Sequence, residues 1–362
     1  MYELTVVIPT FNECENVVPM VALLTKALQG RAWEAVFVDD DSPDGTADAV
    51  RAIGEIHANI RVLQRTGRRG LAGACIEGIL SSTATYCAVI DADLQHDESR
   101  LPVMLDRLAE DAELDLVVGS RKVEGGDSAT GFSALRKWGS DRATNLTRRA
   151  LGISVTDPMS GFFMLRRSSF IAVSRDLQVT GFKILADMLA VSGGGWKVEE
   201  VPYSFRQRQF GDSKMDSAVA LEFLGLLIAR KLGGVLSIRF VLFGMVGLVG
   251  VVVQLAVVGL VLAVVPGAFT LAQTVGVIVA IANNFLLNNL LTYRDRALKG
   301  MALLKGLLSF YVVCSVGAVL NIGLARLVFG VVPVWPLASA AGAVAGAAWN
   351  FGASSLFTWR AR

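Results

Sequence analysis

Apolar residues fall along this chain in two rhythms. Through the first half they come in short runs, Leu4–Ile8, Ala35–Val38, Ile60–Leu63, Tyr86–Ile90 and Leu116–Val118, each bounded by polar residues. Short, largely apolar runs of this kind predict buried strands. Between them lie stretches with the spacing of helices, near 16–28, 45–56, 70–82 and 98–109. The alternation predicts an α/β unit, Rossmann-like, with a mostly parallel sheet covered on both faces. A longer amphipathic stretch near 133–151, the turn Asp157-Pro158-Met159-Ser160-Gly161 and a strand over Phe162–Leu165 continue it.

The rhythm changes after residue 235. Four long apolar segments follow, near 238–264, 268–291, 306–330 and 334–357. Roughly 20 helical residues cross about 30 Å of hydrocarbon, so each is long enough to span a bilayer. The middle break, Tyr293–Lys305, carries Arg294, Arg296, Lys299 and Lys305 against Asp295, and the chain ends in Arg360 and Arg362. The other two breaks, at Pro266-Gly267 and Val332-Pro333, carry no charge. The positive-inside rule then puts the middle loop, both ends of the membrane unit and the α/β unit on the cytoplasmic side. An amphipathic segment, 217–232, ending in Arg230-Lys231, either lies on the membrane surface or packs on the α/β unit. The expected organisation is a catalytic domain over 1–216, an interfacial region over 217–235, and an all-α domain with four transmembrane helices over 236–362. Asn283, Asn284, Asn288, Asn289, Asn321, Arg326 and Asn350 fall inside the apolar segments, where they either join helices or line a path.

Composition agrees with this division. Of 362 residues, 53% are hydrophobic, and the mean hydropathy is +0.52, too high for an ordinary soluble protein. Net charge is only +2, which gives no reason to expect a nucleic-acid partner. Basic residues gather instead at Arg206, Arg208, Lys214, Arg230, Lys231 and Arg239, before and at the start of the apolar half, where they suit anionic headgroups. The four cysteines show no metal-binding spacing and read as reduced thiols. The chain opens directly into a strand, and no cleavable signal peptide is expected.

The chemistry lies at strand ends, where ligands of such sheets bind. Asp91-Ala92-Asp93-Leu94-Gln95 closes the fourth strand. Asp91, Asp93 and Gln95 offer hard oxygens to a divalent cation, Mg²⁺ or Mn²⁺, that also needs phosphate oxygens. Asp39, at the second strand end, either accepts a ring N–H of a base or caps the turn Ser42-Pro43-Asp44-Gly45. Glu13, at the first strand end, is placed to reach a ribose or base, with Pro9 and Phe11 shaping the pocket. Gly67-Arg68-Arg69-Gly70-Leu71-Ala72-Gly73 opens a helix and attracts anions, but fits neither a dinucleotide nor a P-loop spacing. Arg121, Arg136, Ser140, Arg208 and Lys214 supply polar groups for phosphates. His57 and His96 read as loop residues, and no Ser-His-Asp arrangement is visible. A phosphate acceptor needs no general base, because its second pKa lies near 6. Asp187 is the weaker choice of base for a hydroxyl acceptor.

Pro9–Glu13, Asp39–Thr46, Gly70–Ala74, Asp91–Gln95, Gly119-Ser120-Arg121, Asp157–Phe162 and Arg208–Lys214 together resemble family 2 glycosyltransferases of GT-A fold. The branch they resemble makes polyprenyl-phosphate sugars, dolichol-phosphate mannose synthases included. Residues 236–362 resemble the GtrA-like four-helix membrane module. The resemblance implies inverting transfer of a hexose from a nucleotide sugar to a polyprenyl or dolichyl phosphate. It implies a nucleoside pocket of Pro9, Phe11, Glu13, Phe37 and Asp39, and cation and diphosphate binding by Asp91, Ala92, Asp93 and Gln95. It implies phosphate binding by Arg121, Arg208 and Lys214, with Arg136 and Ser140 receiving the lipid phosphate. Phe11 replaces the family's usual Tyr, which keeps stacking and loses a hydroxyl. The Ser42–Thr46 form favours GDP-mannose over UDP-glucose, while Leu94-Gln95 also occurs among glucosyl relatives. Two rivals are a polysaccharide synthase, whose Gln-x-x-Arg-Trp motif is missing, and a lipid-linked sugar flippase with a regulatory soluble domain.

Overall fold

The computed structural model describes residues 2–124, 154–178, 184–206, 225, 228, 236–332 and 335–359. The stretch near 133–151 and nearly all of 217–232 lie outside them. The chain divides into two compact units, Met1–Val235 and Leu236–Arg362.

The first unit is built on β1 (Leu4–Thr10), β2 (Trp33–Asp39), β3 (Ile60–Gln64), β4 (Tyr86–Val89), β5 (Leu114–Ser120), β6 (Phe163–Arg166) and β7 (Lys197–Pro202). They form one sheet in the order β3-β2-β1-β4-β6-β5-β7. Every neighbouring pair is parallel except those of β6, which runs antiparallel to β4 and β5. The expected strands are present, but β7 was not anticipated. Its Lys-Val-Glu-Glu-Val-Pro sequence has burial confined largely to Val201, so it carries too little apolar signal.

Side chains alternate through the sheet. Val6, Ile8 and Phe37 enter one core with Val17, Met20 and Leu24 of α1 (Cys14–Ala27) and with Leu101, Met104, Leu105 and Leu108 of α4 (Leu101–Glu110). Val50 of α2 (Thr46–Gly54) joins that face. Val7, Val36 and Val38 enter the other core. There they meet Ala72, Cys75, Ile76 and Ile79 of α3 (Leu71–Leu80), Phe170 of α5 (Arg167–Val173), and Leu185 and Met188 of α6 (Ile184–Val191). With both faces covered, the sheet's carboxyl edge is the place left for a ligand.

The second unit contains α7 (Ile238–Val264), α8 (Phe269–Leu287), α9 (Met301–Val331) and α10 (Trp335–Ala353). Helices α8 and α10 each run on into a π turn, Asn288–Thr292 and Ser354–Thr358. Among the described residues three helical stretches are long and apolar enough to cross a membrane, Ile238–Val264, Thr274–Thr292 and Met301–Leu320. Helix α9 starts earlier than the apolar pattern indicated, after Gly300 at φ 56, and takes Lys305 into its first turns. Three of the carboxamides inside these helices meet a neighbouring helix or turn. Asn284 lies against Gly250, Asn350 against Gly317, and Asn289 exchanges hydrogen bonds with the Leu298 backbone at 2.8 and 3.2 Å.

Candidate active site

Three loops leave the carboxyl edge, after β1, β2 and β4. Among the described residues the only non-glycine positions in left-handed backbone are Asn12 (φ 55), Asp41 (φ 60) and Leu94 (φ 61), one in each loop. Strain of this kind costs on the order of 1–3 kcal/mol per residue and collects where function fixes the backbone.

The first two loops are tied to one another. The Asn12 amide donates to Ser42 Oγ at 2.9 Å, the Glu13 amide to Thr46 Oγ1 at 3.0 Å, and the Cys14 amide to Asp44 Oδ2 at 3.1 Å. Asp39 has no exposed surface. It accepts from the Ser42 amide at 2.9 Å, Ser42 Oγ at 2.5 Å and Thr10 Oγ1 at 3.4 Å. Of the two readings of Asp39, turn capping is therefore present; its carboxylate keeps lone-pair capacity for one further donor. Glu13 accepts from Asn16 Nδ2 at 2.6 Å. Pro9 and Phe11 are half-buried, and the Arg69 guanidinium lies 4.3 Å from the centre of the Phe11 ring. The Gly-rich loop is thus brought to the first strand end.

The Phe37 side chain has no exposed surface and sits in the core beside Val6 and Ile8. Ala92 is likewise buried at 4% exposure, which leaves only its backbone for a ligand. A feature missed in the sequence is the buried pair of Asp40 and Arg65, 2.5 Å apart with side chains 9% and 3% exposed. Asp40 also accepts the Gly70 amide at 2.6 Å, pinning the Gly-rich loop to the end of β2. Burial pushes the Asp40 carboxyl above its ordinary range against the pull of Gly70 and Arg65.

The acid loop after β4 turns sharply. Asp93 is 8% exposed and accepts the Gln95 amide at 3.1 Å, and left-handed Leu94 reverses the chain between them. The turn carries His96 back beneath Asp91, whose amide donates to His96 Nδ1 at 3.2 Å. Asp91 keeps 38% of its side chain exposed. Gly161 lies against it: a Cβ there would lie 2.7 Å from Asp91 Oδ2. Gln95 has a second task, since its Nε2 donates to the Arg206 carbonyl at 3.0 Å and its carbonyl accepts the Arg206 amide at 2.8 Å. Arg206 in turn holds Glu98 at 2.6 Å and Asp97 at 3.0 Å.

Arg121 follows β5 and forks onto Asp157, Nε to Oδ2 at 2.8 Å and Nη2 to Oδ1 at 3.1 Å. Asp157 has no exposed surface. Burial raises its carboxyl, but the Arg121 bonds and charge outweigh it and hold the group below its ordinary range. Glu200 of β7 completes the arrangement by accepting the Thr156 and Asp157 amides at 2.9 and 3.2 Å. The sequence pointed to Arg121 and to a turn at Asp157, but gave no signal for their pairing. Tyr203, 1% exposed, packs edge-on to Phe162 and His96, and burial raises its phenol. Arg136, Ser140, Arg208 and Lys214 lie outside the described residues.

Among the described residues no three His, Cys, Asp or Glu side chains gather as a metal cage. The donor set still fits Mg²⁺ or Mn²⁺. Such ions take one or two carboxylates and complete their shell with substrate phosphates and water. Asp91 and Asp93 are two hard carboxylates at one strained loop, and the first reaches the surface.

A mostly parallel sheet with one antiparallel inner strand and paired acids at the end of β4 defines a GT-A glycosyltransferase. The chain matches glycosyl transferase family 2 over residues 5–173 and the GtrA/DPMS transmembrane domain over residues 242–359. It is 33% identical to a dolichol-phosphate mannosyltransferase of Pyrococcus furiosus over 88% of each chain. It is 32% identical to an undecaprenyl-phosphate mannosyltransferase of Micrococcus luteus, over 60% of this chain and 88% of that one. Glucosyl-3-phosphoglycerate synthase of Mycobacterium tuberculosis, solved with Mn²⁺, UDP and phosphoglyceric acid, matches the fold with TM-score 0.50 and 18% identity, covering 64% of this chain and 78% of that one. The protein belongs to glycosyl transferase family 2, as a member joined to a GtrA/DPMS membrane domain.

Proposed function

We propose that this enzyme transfers mannose from GDP-mannose to a polyprenyl or dolichyl phosphate at the cytoplasmic membrane face. The observation that carries the reading is likeness to a dolichol-phosphate mannosyltransferase across both units, catalytic and membrane. The organisation taken is catalytic over 1–216, interfacial over 217–235 and membrane over 236–362.

Pro9, Phe11 and Glu13 receive the nucleoside, and Asp39 takes a ring N–H of the base with its remaining lone pair. Asp91 and Asp93, with Gln95 beside them, hold a divalent cation. When bound, that cation neutralises the diphosphate and steadies its charge on departure. Arg121, set by Asp157, and Arg208 with Lys214 draw phosphates to the edge. Arg136 and Ser140 receive the lipid phosphate. One oxygen of that phosphate attacks the anomeric carbon from the side opposite the diphosphate. The new carbon–oxygen bond forms as the sugar–diphosphate bond breaks, inverting the centre and releasing GDP. The phosphate is ionised at neutral pH, so no proton need leave it.

Membranes containing the full chain are to be given labelled GDP-mannose, UDP-glucose and UDP-GlcNAc in parallel, with polyprenyl phosphate. The expected result is labelled lipid from GDP-mannose alone, stopped by EDTA and restored by Mg²⁺ or Mn²⁺. Lipid labelled from a UDP-sugar instead would reassign the donor. No labelled lipid from any donor would favour a transporter.

A further inference from the structure

We propose that His96 is a positioning residue for the first acid of the loop, a role that rests on the cation site read above. Its ring is 3% exposed and stacks on Phe162 at 5.4 Å, with Tyr203 and Phe205 edge-on at 5.6 Å. Held there, Nδ1 accepts the Asp91 amide at 3.2 Å, so the neutral imidazole carries its proton on Nε2. Nε2 lies 3.8 Å from Asp91 Oδ2, beyond hydrogen-bond length. The aromatic cage locks the ring, the ring locks the Asp91 amide, and Gly161 lies against the carboxylate.

Two variants separate acceptor from packing. His96→Phe keeps a ring in the cage and loses the acceptor, whereas His96→Asn places an amide oxygen near the Nδ1 position. Mn²⁺ affinity with GDP present, read by the free-ion EPR signal, is expected to weaken roughly tenfold in His96→Phe and to stay within about threefold of wild type in His96→Asn. The melting temperature without metal shows that each variant folds. Wild-type affinity in folded His96→Phe, or equal loss in both variants, overturns the role. Absence of Mn²⁺ binding in the wild type removes the cation site itself and this proposal with it.

A different observation carries a second inference. We infer that the membrane unit is one helix hairpin used twice, closed on itself about a pseudo-twofold axis. Asn284, Phe285, Leu290, Thr292 and Arg294 recur as Asn350, Phe351, Leu356, Thr358 and Arg360, each 66 positions on (284 to 350, 294 to 360). Phe243 and Gly250 recur as Phe310 and Gly317. The structure repeats with the sequence. Both hairpins seat the asparagine on the glycine of their first helix, where any Cβ would overlap the carboxamide. Both end in a π turn at the same position, Asn288–Thr292 and Ser354–Thr358.

Two sets of contacts between the hairpins are exchanged pairs, as in an isologous interface. Tyr293 Oη pairs with Ser355 Oγ at 2.7 Å, and Trp359 Nε1 donates to Asn289 Oδ1 at 3.0 Å, where 289 corresponds to 355 and 293 to 359. Phe285 meets Phe310 at 5.9 Å, and its counterpart Phe351 meets Phe243 at 5.7 Å. Tyr293 and Trp359, counterparts of each other, stack at 4.3 Å with planes 4° apart, which puts the axis between them. Repeats related in this way cross the membrane in the same sense.

Grafting residues 284–294 onto 350–360 in register, in the full chain, tests this against the same graft shifted by one residue. In detergent the in-register chimera is expected to stay monodisperse and to melt within about 5 °C of wild type, a shift on the order of 1–2 kcal/mol or less. The shifted graft is expected to lose the folded peak. Equal damage from both grafts overturns the duplication.

Discussion

At the sheet edge, buried polarity includes ion pairs. Asp157, with no exposed surface, faces Arg121, and Asp40 faces Arg65. In the membrane unit the buried polar residues among those described are all neutral: Asn288, Asn289, Thr292, Ser354 and Thr358. The difference follows from what surrounds each set. The edge must handle phosphates and a cation, so charges are held ready by opposite charges, amides and hydroxyls. Hydrocarbon gives a charge no such return, so the membrane unit fixes its turns with carboxamides, hydroxyls and stacked rings. Removing a group should therefore be costly at the edge and cheap in the membrane.

The largest expected effect is on chemistry. Asp93→Ala removes one of two cation-binding carboxylates and should lower mannosyl transfer roughly 10³-fold, equal to about 4 kcal/mol in the barrier. The melting temperature shows that the variant folds. Near wild-type turnover in purified membranes would reject the cation role.

The next effect is on stability. Asp157→Asn keeps the volume but leaves Arg121, 19% exposed, facing a neutral group. Breaking a buried pair in this way typically costs about 3–5 kcal/mol. Thermal unfolding in detergent measures it, and a loss below about 1 kcal/mol would place the pair with ordinary surface bridges. The pair also sets a pH dependence. Its carboxyl is lowered on folding, so its stabilisation is whole above the unfolded value of about 3.9 and fades as pH falls through the lower folded value. The wild type should lose melting temperature below about pH 4 more steeply than Asp157→Asn does, with the two curves converging.

The parts of this contrast visible in the sequence are those set by local pattern. Buried strands such as Leu4–Thr10 have near-continuous burial, and α7 is apolar along its length, so both are written in runs of residues. Asp91 and Asp93 show because they interrupt such a run. The pairing of Arg121 with Asp157 spans 36 positions and depends on β6 entering the sheet antiparallel, which no local pattern encodes. Strand alternation puts the Phe37 side chain in the core, and its place in the nucleoside pocket comes from likeness alone. His96 looked like a loop residue because its acceptor role depends on the left-handed turn at Leu94.

The smallest effect tests the membrane side of the comparison. Trp359→Phe deletes the indole N–H that reaches Asn289 Oδ1 at 3.0 Å and keeps an aromatic ring to stack on Tyr293. The acceptor is not orphaned, because Asn289 Oδ1 also receives the Leu298 amide at 2.8 Å. The loss should therefore sit near the usual worth of a polar contact within a membrane, about 0.6 kcal/mol and at most about 2. Thermal unfolding in the same detergent as Asp157→Asn makes the two numbers comparable. A cost in Trp359→Phe as large as that in Asp157→Asn would mean that neutral contacts in the membrane unit carry as much as the buried ion pair, and the contrast between the two regions would fail.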